Sequence, residues 1–349
     1  MNKILNIIFI MSVTLSACAQ SSQLETDLLI PIEFQTHVGY INNKNEIVIK
    51  PQFDEAGFFY DGLAKIKKDG KWGLLNINGN TNYFSFEILD DFSEGYAIAK
   101  TKDGVGFIDK NGKIVINGYQ SAKSFVNGIA CVQTAKGWTY ITTENKLLFS
   151  KFYTDCFPFY EGIAVVKIDV PNNSPLYGVI DKTGKYILEP KYVFMNDYFS
   201  EGLNYLRLSY DSNIEENGYG DVKGEIKIGL DATDSKPFYK GYSYLGYGPY
   251  HDMFWYILKK NGEFLKNEMP EIFNLDYFTD DITVYQIKKD NKIKEGYIDY
   301  KGKVVVEAIY DKAAPIEYGI GRLYINGEQV AYCDLSGKLT YVKDVFKGE

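Results

Sequence analysis

The sequence predicts an all-β protein built as a repeat array of antiparallel meanders, and three observations carry that prediction. An aromatic-x-x-Gly unit recurs eight times at near-constant spacing. Short β-rich stretches bounded by glycine follow the copies. The composition agrees: of 349 residues, 30 are Tyr, 22 Phe and 32 Gly against 10 Pro, a mixture that favours pleated strands and tight turns.

The N-terminus precedes the repeats and reads differently. Met1-Asn2-Lys3 leads into an apolar run from Ile4 to Leu15 and then Ser16-Ala17-Cys18. One Lys, an apolar stretch and small residues make a secretory signal peptide over 1–17, and the run is too short to span a bilayer stably. Leu15-Ser16-Ala17-Cys18 resembles the bacterial lipobox. That resemblance implies lipidation at Cys18 by diacylglycerol, with palmitate-type chains as the membrane anchor. Each buried acyl CH₂ contributes about 0.8 kcal/mol, so more than one chain holds a soluble domain durably. Residues 18–36 are then expected as the lipidated Cys and a polar tether, and 37–349 as the repeat domain. Ala19 is not the Asp that retains some lipoproteins at the inner membrane, so the expected place is the outer membrane of the cell envelope, periplasmic or surface-facing.

The repeat runs as Phe59-Tyr60-Asp61-Gly62, Phe92-Ser93-Glu94-Gly95, Phe125-Val126-Asn127-Gly128, Phe159-Tyr160-Glu161-Gly162, Phe199-Ser200-Glu201-Gly202, Phe238-Tyr239-Lys240-Gly241, Phe278-Thr279-Asp280-Asp281 and the worn Ile316-Glu317-Tyr318-Gly319. Successive copies are 33, 33, 34, 40, 39, 40 and 38 residues apart, so about eight units are expected. A strand follows each, with a small residue in its second slot: Ala64, Ala97, Ala130, Ala164, Ser243, Thr283 and Gly321, Asn204 being the exception. A recurring small side chain marks a crowded position between neighbouring units. Asp69-Gly70, Asp103-Gly104 and Asn326-Gly327 read as two-residue hairpin turns, which need φ > 0 at both positions. A second strand (Trp72–Asn76, Gly106–Asp109, Gly178–Asp181, Gly296–Asp299) and a third (Lys113–Ile116, Lys185–Leu188, Lys303–Val306) complete a three-stranded meander, and a loop carrying Phe53-Asp54 or Tyr310-Asp311 joins it to the next.

At these residues a family resemblance appears. Asp69-Gly70-Lys71-Trp72-Gly73-Leu74-Leu75-Asn76-Ile77-Asn78-Gly79 is similar to the WG-containing repeat of bacteria, as are Lys136-Gly137-Trp138 and Ile47–Ala56. The resemblance spans roughly residues 37 to 340, although the Trp-Gly pair itself survives only at Trp72-Gly73. It implies architecture and a binding role rather than a reaction. A lone meander cannot shield both faces from water, so the units must stack, as a propeller or a solenoid. A closed propeller-like toroid is favoured, with an open β-solenoid as the alternative. The partial units Gly39–Asn42 and Ala331–Gly337 are expected to close it by strand exchange.

Little in the chain suggests catalysis. The formal charge of −8 and pI near 5.1 argue against nucleic acid, whose phosphates need a cationic field. After Cys18 come Cys131, Cys156 and Cys333, each in a slot filled elsewhere by small or apolar residues, and the expected state is buried free thiol. A Cys131–Cys156 disulfide stays open. With only His37 and His251, no metal set, cofactor or Ser-His-Asp arrangement is expected, and His37 reads as an edge residue. The periodic carboxylates Asp61, Glu94, Glu161, Glu201 and Asp280, and likewise Asp109, Asp181 and Asp299, read as turn or backbone-capping groups.

One region breaks the repeat. Between Phe238 and Tyr256 the aromatics crowd together, and Gly246–Asp252 stands where shorter units have a two-residue turn. Tyr, Gly and His in a long loop suit a recognition surface, which makes Tyr239, Tyr242, Tyr247, Tyr250, His251 and Trp255 the candidate binding residues. The expected function is a non-enzymatic binding or scaffolding lipoprotein that engages an envelope protein or glycan. The alternative is a glycan-acting hydrolase using carboxylates that the sequence does not single out.

Overall fold

The computed structural model describes residues 29–347, apart from 172, 210–215, 250–252 and 266–271. The signal segment and Cys18 lie outside the described residues. Nine small antiparallel sheets follow one another along the chain and stand in a ring as the blades of a β-propeller. Blade 1 is Ile30–Phe34, His37–Ile41 and Ile47–Phe53. Blade 2 is Glu55–Ala56, Leu63–Lys68, Lys71–Asn76 and Thr81–Tyr83. Blades 3 to 9 begin at Ile88, Ser121, Asp155, Phe194, Asp234, Asn274 and Lys312.

The blade number is nine rather than about eight. The eight aromatic-x-x-Gly copies sit in blades 2 to 9, and Gly39–Asn42 belongs to a ninth blade that has none. Ile30–Phe34 also lies inside the stretch expected as tether, so the ring starts earlier than residue 37. Seven of the nine sheets have four strands, not three. The added strand is the two-residue pairing typified by Ala56↔Ile66, in what reads from sequence as a connecting loop.

The aromatic-x-x-Gly unit closes a tight hairpin between first and second strands. Tyr60 bridges Leu63 while Asp61 and Gly62 take φ of 54° and 83°. Asp69-Gly70 and Asn326-Gly327 have φ > 0 at both positions, as expected. Asp103-Gly104 differs: Gly104 pairs with Thr101, which leaves Lys102-Asp103 at the tip, and of these three only Gly104 has positive φ.

The glycine of the Trp-Gly pair answers to a steric demand of the fourth strand. A Cβ on Gly106 would lie 2.0 Å from the Ile116 carbonyl oxygen, and one on Gly296 2.3 Å from that of Val306. In both blades the pairing to the fourth strand shifts register beside that glycine, so the bulged strand pushes its backbone inward. Where another residue holds the slot, the outer strand shrinks. Thr139 stands there in blade 4, whose outer edge is reduced to isolated bridges. Tyr256 stands there in blade 7, whose fourth strand is only Phe264–Leu265.

The core is nine separate apolar clusters, each filling one interface between neighbours. In the interface of blades 3 and 4, for example, Phe107 and Ile116 meet Phe125, Val132 and Ile141. The small second-strand slot is crowded, as expected: a Cβ on Gly321 would lie 2.5 Å from the Tyr297 ring of the preceding blade. Such tyrosines sit in the third strand and reach forward. Tyr40, Tyr140, Tyr219 and Tyr297 donate to the carbonyls of Gly57, Phe157, Lys236 and Ala314 at 2.6–2.8 Å. Each hydroxyl thereby satisfies its own buried polar tip.

Among the described residues ring closure uses no strand exchange, contrary to expectation, because blade 9 draws all four strands from Lys312 onward. The last joint is made by side chains. Phe34 stacks on Phe346 at 4.2 Å, and Ile30, Ile32 and Ile41 pack with Phe58, Tyr332 and Val342. Among the described residues blade 1 has no first strand, and its axial edge is blunted. By register, Pro31 and Glu33 match Lys65 and Lys67 of blade 2, which pair with that blade's first strand. Pro31 has no N–H to offer, and the Glu33 N–H donates to Gln329 Oε1 at 2.9 Å.

Candidate functional site around the propeller axis

Most polar side chains repeat from blade to blade, and their hydrogen bonds show them to be structural. Asp109 Oδ1 accepts from the N–H groups of Asn111 and Lys113. Asp181 does the same for Thr183 and Lys185, and Asp299 for Lys301 and Lys303. These are Asx turns. They and the side-chain bond from Thr183 hold the Asp181 carboxyl below its usual range.

Three of the other periodic carboxylates cap a turn in the next blade, while Asp280 accepts from the Asp281 N–H of its own turn. Asp61 accepts from Gly95 N–H at 3.1 Å, Glu94 from Asn127 and Gly128 at 2.7 and 2.8 Å, and Glu201 from Gly241 at 2.9 Å. These latches mark one face of the ring. The opposite face carries the hairpins, where Asp54 and Asp311 accept from Gly70 and Asn326.

Charges that do not repeat collect at the axis, at the two positions between the first strand and the aromatic-x-x-Gly turn. There stand Gly57-Phe58, Asp90-Asp91, Lys123-Ser124, Phe157-Pro158, Asp197-Tyr198, Lys236-Pro237, Asp276-Tyr277 and Ala314-Pro315. Side chains here sense blades that are not their neighbours: Tyr277 of blade 8 feels Asp197 of blade 6, and Asp197 feels Lys123 of blade 4. Only the axis brings such residues together.

Burial raises the carboxyls of Asp197 and Glu317 above their usual range, opposed by Lys123 and by Arg322. Asp90 and Asp276 are exposed in part, and desolvation raises both. Cations pair with other acids of this region. Lys65 pairs with Asp91 at 2.9 Å, Arg322 with Glu317 at 3.3 Å, and Lys123 with Asp155 at 2.7 Å.

Blade 1, which has no first strand among the described residues, shapes one side of this mouth. Phe58 and Tyr60 of blade 2 meet Tyr318 of blade 9 at 5.9 and 5.2 Å across blade 1, and the Arg322 guanidinium lies over Phe58. Beside them opens a concavity of about 550 Å³ bordered by Tyr60, Asp90, Asp91, Glu94, Ser124 and Tyr318, side chains of four blades.

The blade 7 residues singled out from sequence are not gathered into one patch. Tyr250 and His251 lie outside the described residues. Tyr239 stacks on Phe278 and donates to Asp281 at 3.2 Å; burial, with the Asp281 charge, pushes its hydroxyl up to about 12. Tyr242 packs near Tyr300, as Tyr239 does, so these two share the latch end of the blade. Tyr247, at the other end of its strand, packs edge-on against Tyr256. Trp255 is 5% exposed within the interface to blade 8, under the Lys236 ammonium. The most exposed aromatics of this blade are Phe254, Tyr256 and Phe264.

Cys131, Cys156 and Cys333 are buried, as their slots suggested, and unbridged in this structure, and His37 is exposed at a strand start. Among the described residues no three His, Cys, Asp or Glu side chains are grouped to hold a metal ion. Sequence reasoning missed the axial charges. Their signal was variation itself, at two slots immediately before a motif that otherwise repeats.

Comparison with known proteins gives one family match and several remote structural likenesses. Residues 39–72, 106–137, 138–169, 177–205 and 296–328 match the family described as WG containing repeat. No curated protein matches the chain. Among solved structures, the chain is similar to the acylaminoacyl peptidase of Pyrococcus horikoshii at 11% identity and a TM-score of 0.40, over 81% of this chain and 52% of that one. It thus spans about half the length of that enzyme. The β-propeller domain of the Trilobed protease from Pyrococcus furiosus aligns at 13% identity and a TM-score of 0.38, over 81% and 99%. PorZ of Porphyromonas gingivalis, a surface component of the type-IX secretion system, aligns at 12% and 0.24, over 91% and 59%. Likenesses this remote carry no inference for the chain.

Proposed function

Starting from a chain built of WG-containing repeats, we propose that it is a non-enzymatic binding or scaffolding lipoprotein of the cell envelope, anchored through Cys18, that engages an envelope protein or glycan at its axial mouth. The observation that supports this reading most is the contrast between polar positions. The Asx turns and latches serve the backbone wherever they recur, but no repeat hydrogen bond calls for Asp197 or Glu317, and burying an ionisable group costs stability. Charges kept at such places with shifted titration are candidates for ligand contact. The mixture of acids, cations and tyrosines suits a polar, extended ligand. Tyr offers large contact area with little entropy lost.

A pull-down from envelope extracts tests this. The chain carrying Asp90→Asn, Asp276→Asn and Glu317→Gln is expected to lose partners that the wild type retains, while Phe254→Ala with Tyr256→Ala keeps them. Unchanged capture by the axial variant removes the mouth from consideration. The hydrolase reading has one observation in its favour, an Asp90 carboxyl raised by burial next to an ion-paired Asp91. It predicts glycan cleavage that collapses on losing either acid alone. The anchor is tested separately: Cys18→Ser should abolish incorporation of labelled palmitate and move the protein from membrane to soluble fractions.

A further inference from the structure

Blades 4 and 5 bring two of the three described cysteines together. Cys131 lies in the second strand of blade 4 (Ile129–Thr134) and Cys156 in the first strand of blade 5 (Asp155–Cys156). They meet in one interface cluster, ringed by Tyr140, Phe159 and Val166, at 2% and 0% exposure. Besides burial, Cys131 is among the neighbours that raise the Cys156 thiol, and Cys156 Sγ approaches the Thr139 carbonyl at 3.8 Å. Cys333 sits in another interface, between blades 8 and 9. The slots need no sulfur. Other blades place Ala56, Ala122 and Ala313 where Cys156 stands, and Ile98 and Val165 where Cys131 stands. Two sulfurs in facing slots, on either side of a single interface, are therefore a pair rather than two separate apolar fillers.

We propose that Cys131 and Cys156 form a disulfide that staples blade 4 to blade 5, acquired as the two blades dock during folding. The inference rests on export to an oxidising compartment, where disulfides persist. The chemistry is thiol–disulfide exchange with a disulfide-carrying donor, an exported oxidoreductase in the cell or oxidised glutathione in a tube. One cysteine thiolate attacks the donor disulfide and releases the first donor thiol. The other cysteine thiolate then attacks the mixed disulfide and releases the second. Two protein thiols are oxidised by two electrons, and one donor disulfide is reduced to two thiols. Burial raises the Cys156 thiol well above its usual range, so in the finished ring the pair is slow to react in either direction. Oxidation belongs to the folding stage, and the bond once made is sealed from reductant.

The experiment is oxidative refolding followed by thiol mapping. The chain is unfolded in reductant, refolded in a mixture of reduced and oxidised glutathione, and labelled with maleimide in denaturant. Peptide mass analysis should find Cys131 and Cys156 joined in one species two mass units lighter than the paired thiols, with Cys333 labelled. Melting should then fall by roughly 5 °C when the protein is refolded in reductant. Cys156→Ala, which uses the residue of blades 2, 4 and 9, should melt alike in both conditions. Full labelling of Cys131 and Cys156 after oxidative refolding, or linkage of either to Cys333, would overturn the proposal. The same mapping on acid-quenched cells reads the compartment. A pair that closes in the tube but is free in cells counts against export and leaves the staple standing.

Discussion

The latch rim and the axial mouth are separated by a few residues of the same turn, yet they are built by opposite rules. On the rim, Asp61, Glu94 and Glu201 each face the N–H groups of the following blade, so repetition is required by the neighbour. At the mouth, Asp197, Lys236 and Asp276 hold equivalent places with different charges, and nothing in the backbone asks for them. Periodic polarity here means structure and aperiodic polarity means freedom. A repeat protein therefore displays its ligand-facing surface as the positions where its own pattern lapses.

Four substitutions sharpen that contrast. Gly296→Val should have the largest effect, since its Cβ would sit 2.3 Å from the Val306 carbonyl oxygen. Overpacking of this kind costs several kcal/mol, and chemical denaturation should show an early transition or an insoluble chain. Gly79→Ala is its control: φ is +83° but the space is open, and a loss near 1 kcal/mol is expected. Tyr297→Phe removes the bond to the Ala314 carbonyl at 2.6 Å and leaves that buried acceptor weaker, at about 1–2 kcal/mol. Glu94→Gln turns one of two accepting oxygens toward an N–H and should lower stability by about 1 kcal/mol, with faster amide exchange at Asn127 and Gly128.

The smallest effect should have the opposite sign. The Asp197 carboxyl is raised by burial, so its native state binds a proton more readily than the unfolded chain. Below the ordinary carboxyl range, near pH 4, both states are protonated and that advantage is fully present. It is lost as pH climbs through the raised value. Asp197→Asn should accordingly melt higher than wild type at pH 7.5, by roughly 1 °C after allowance for solvent screening, and the gap should close toward pH 4. Two turn carboxylates behave inversely. Asp181 and Asp334 are lowered by their hydrogen bonds, so their contribution is present above the ordinary range and fades as pH falls below it. An Asp197→Asn chain that melts lower than wild type at pH 7.5 would remove the distinction between the two sets.

How much of this was legible in the sequence follows from the same division. The strand pattern, the positive-φ turns, the buried cysteines and the role of the repeated acids were readable because local chemistry decides them. Two-residue first strands were not, since Glu55-Ala56 gives no periodicity to detect and pairs only because Leu63–Lys68 is already placed. The ninth blade was hidden by its missing aromatic turn. Trp255 looked like a contact residue by composition, but alternation along Phe254–Lys259 sends it inward and leaves Phe254 and Tyr256 outside. The axial site needed the ring itself, because residues far apart in sequence, such as Asp91 and Glu317, meet only once the circle is complete.

The blunted edge of blade 1 has a consequence for how the molecule can be handled. With proline at one pairing position and a glutamine carboxamide serving the other, that edge offers little for a further strand to pair with. The ring is therefore expected to form without the residues before Leu29. A chain trimmed to begin a few residues before it should keep the wild-type melting point, and cargo fused there should leave the nine interfaces undisturbed.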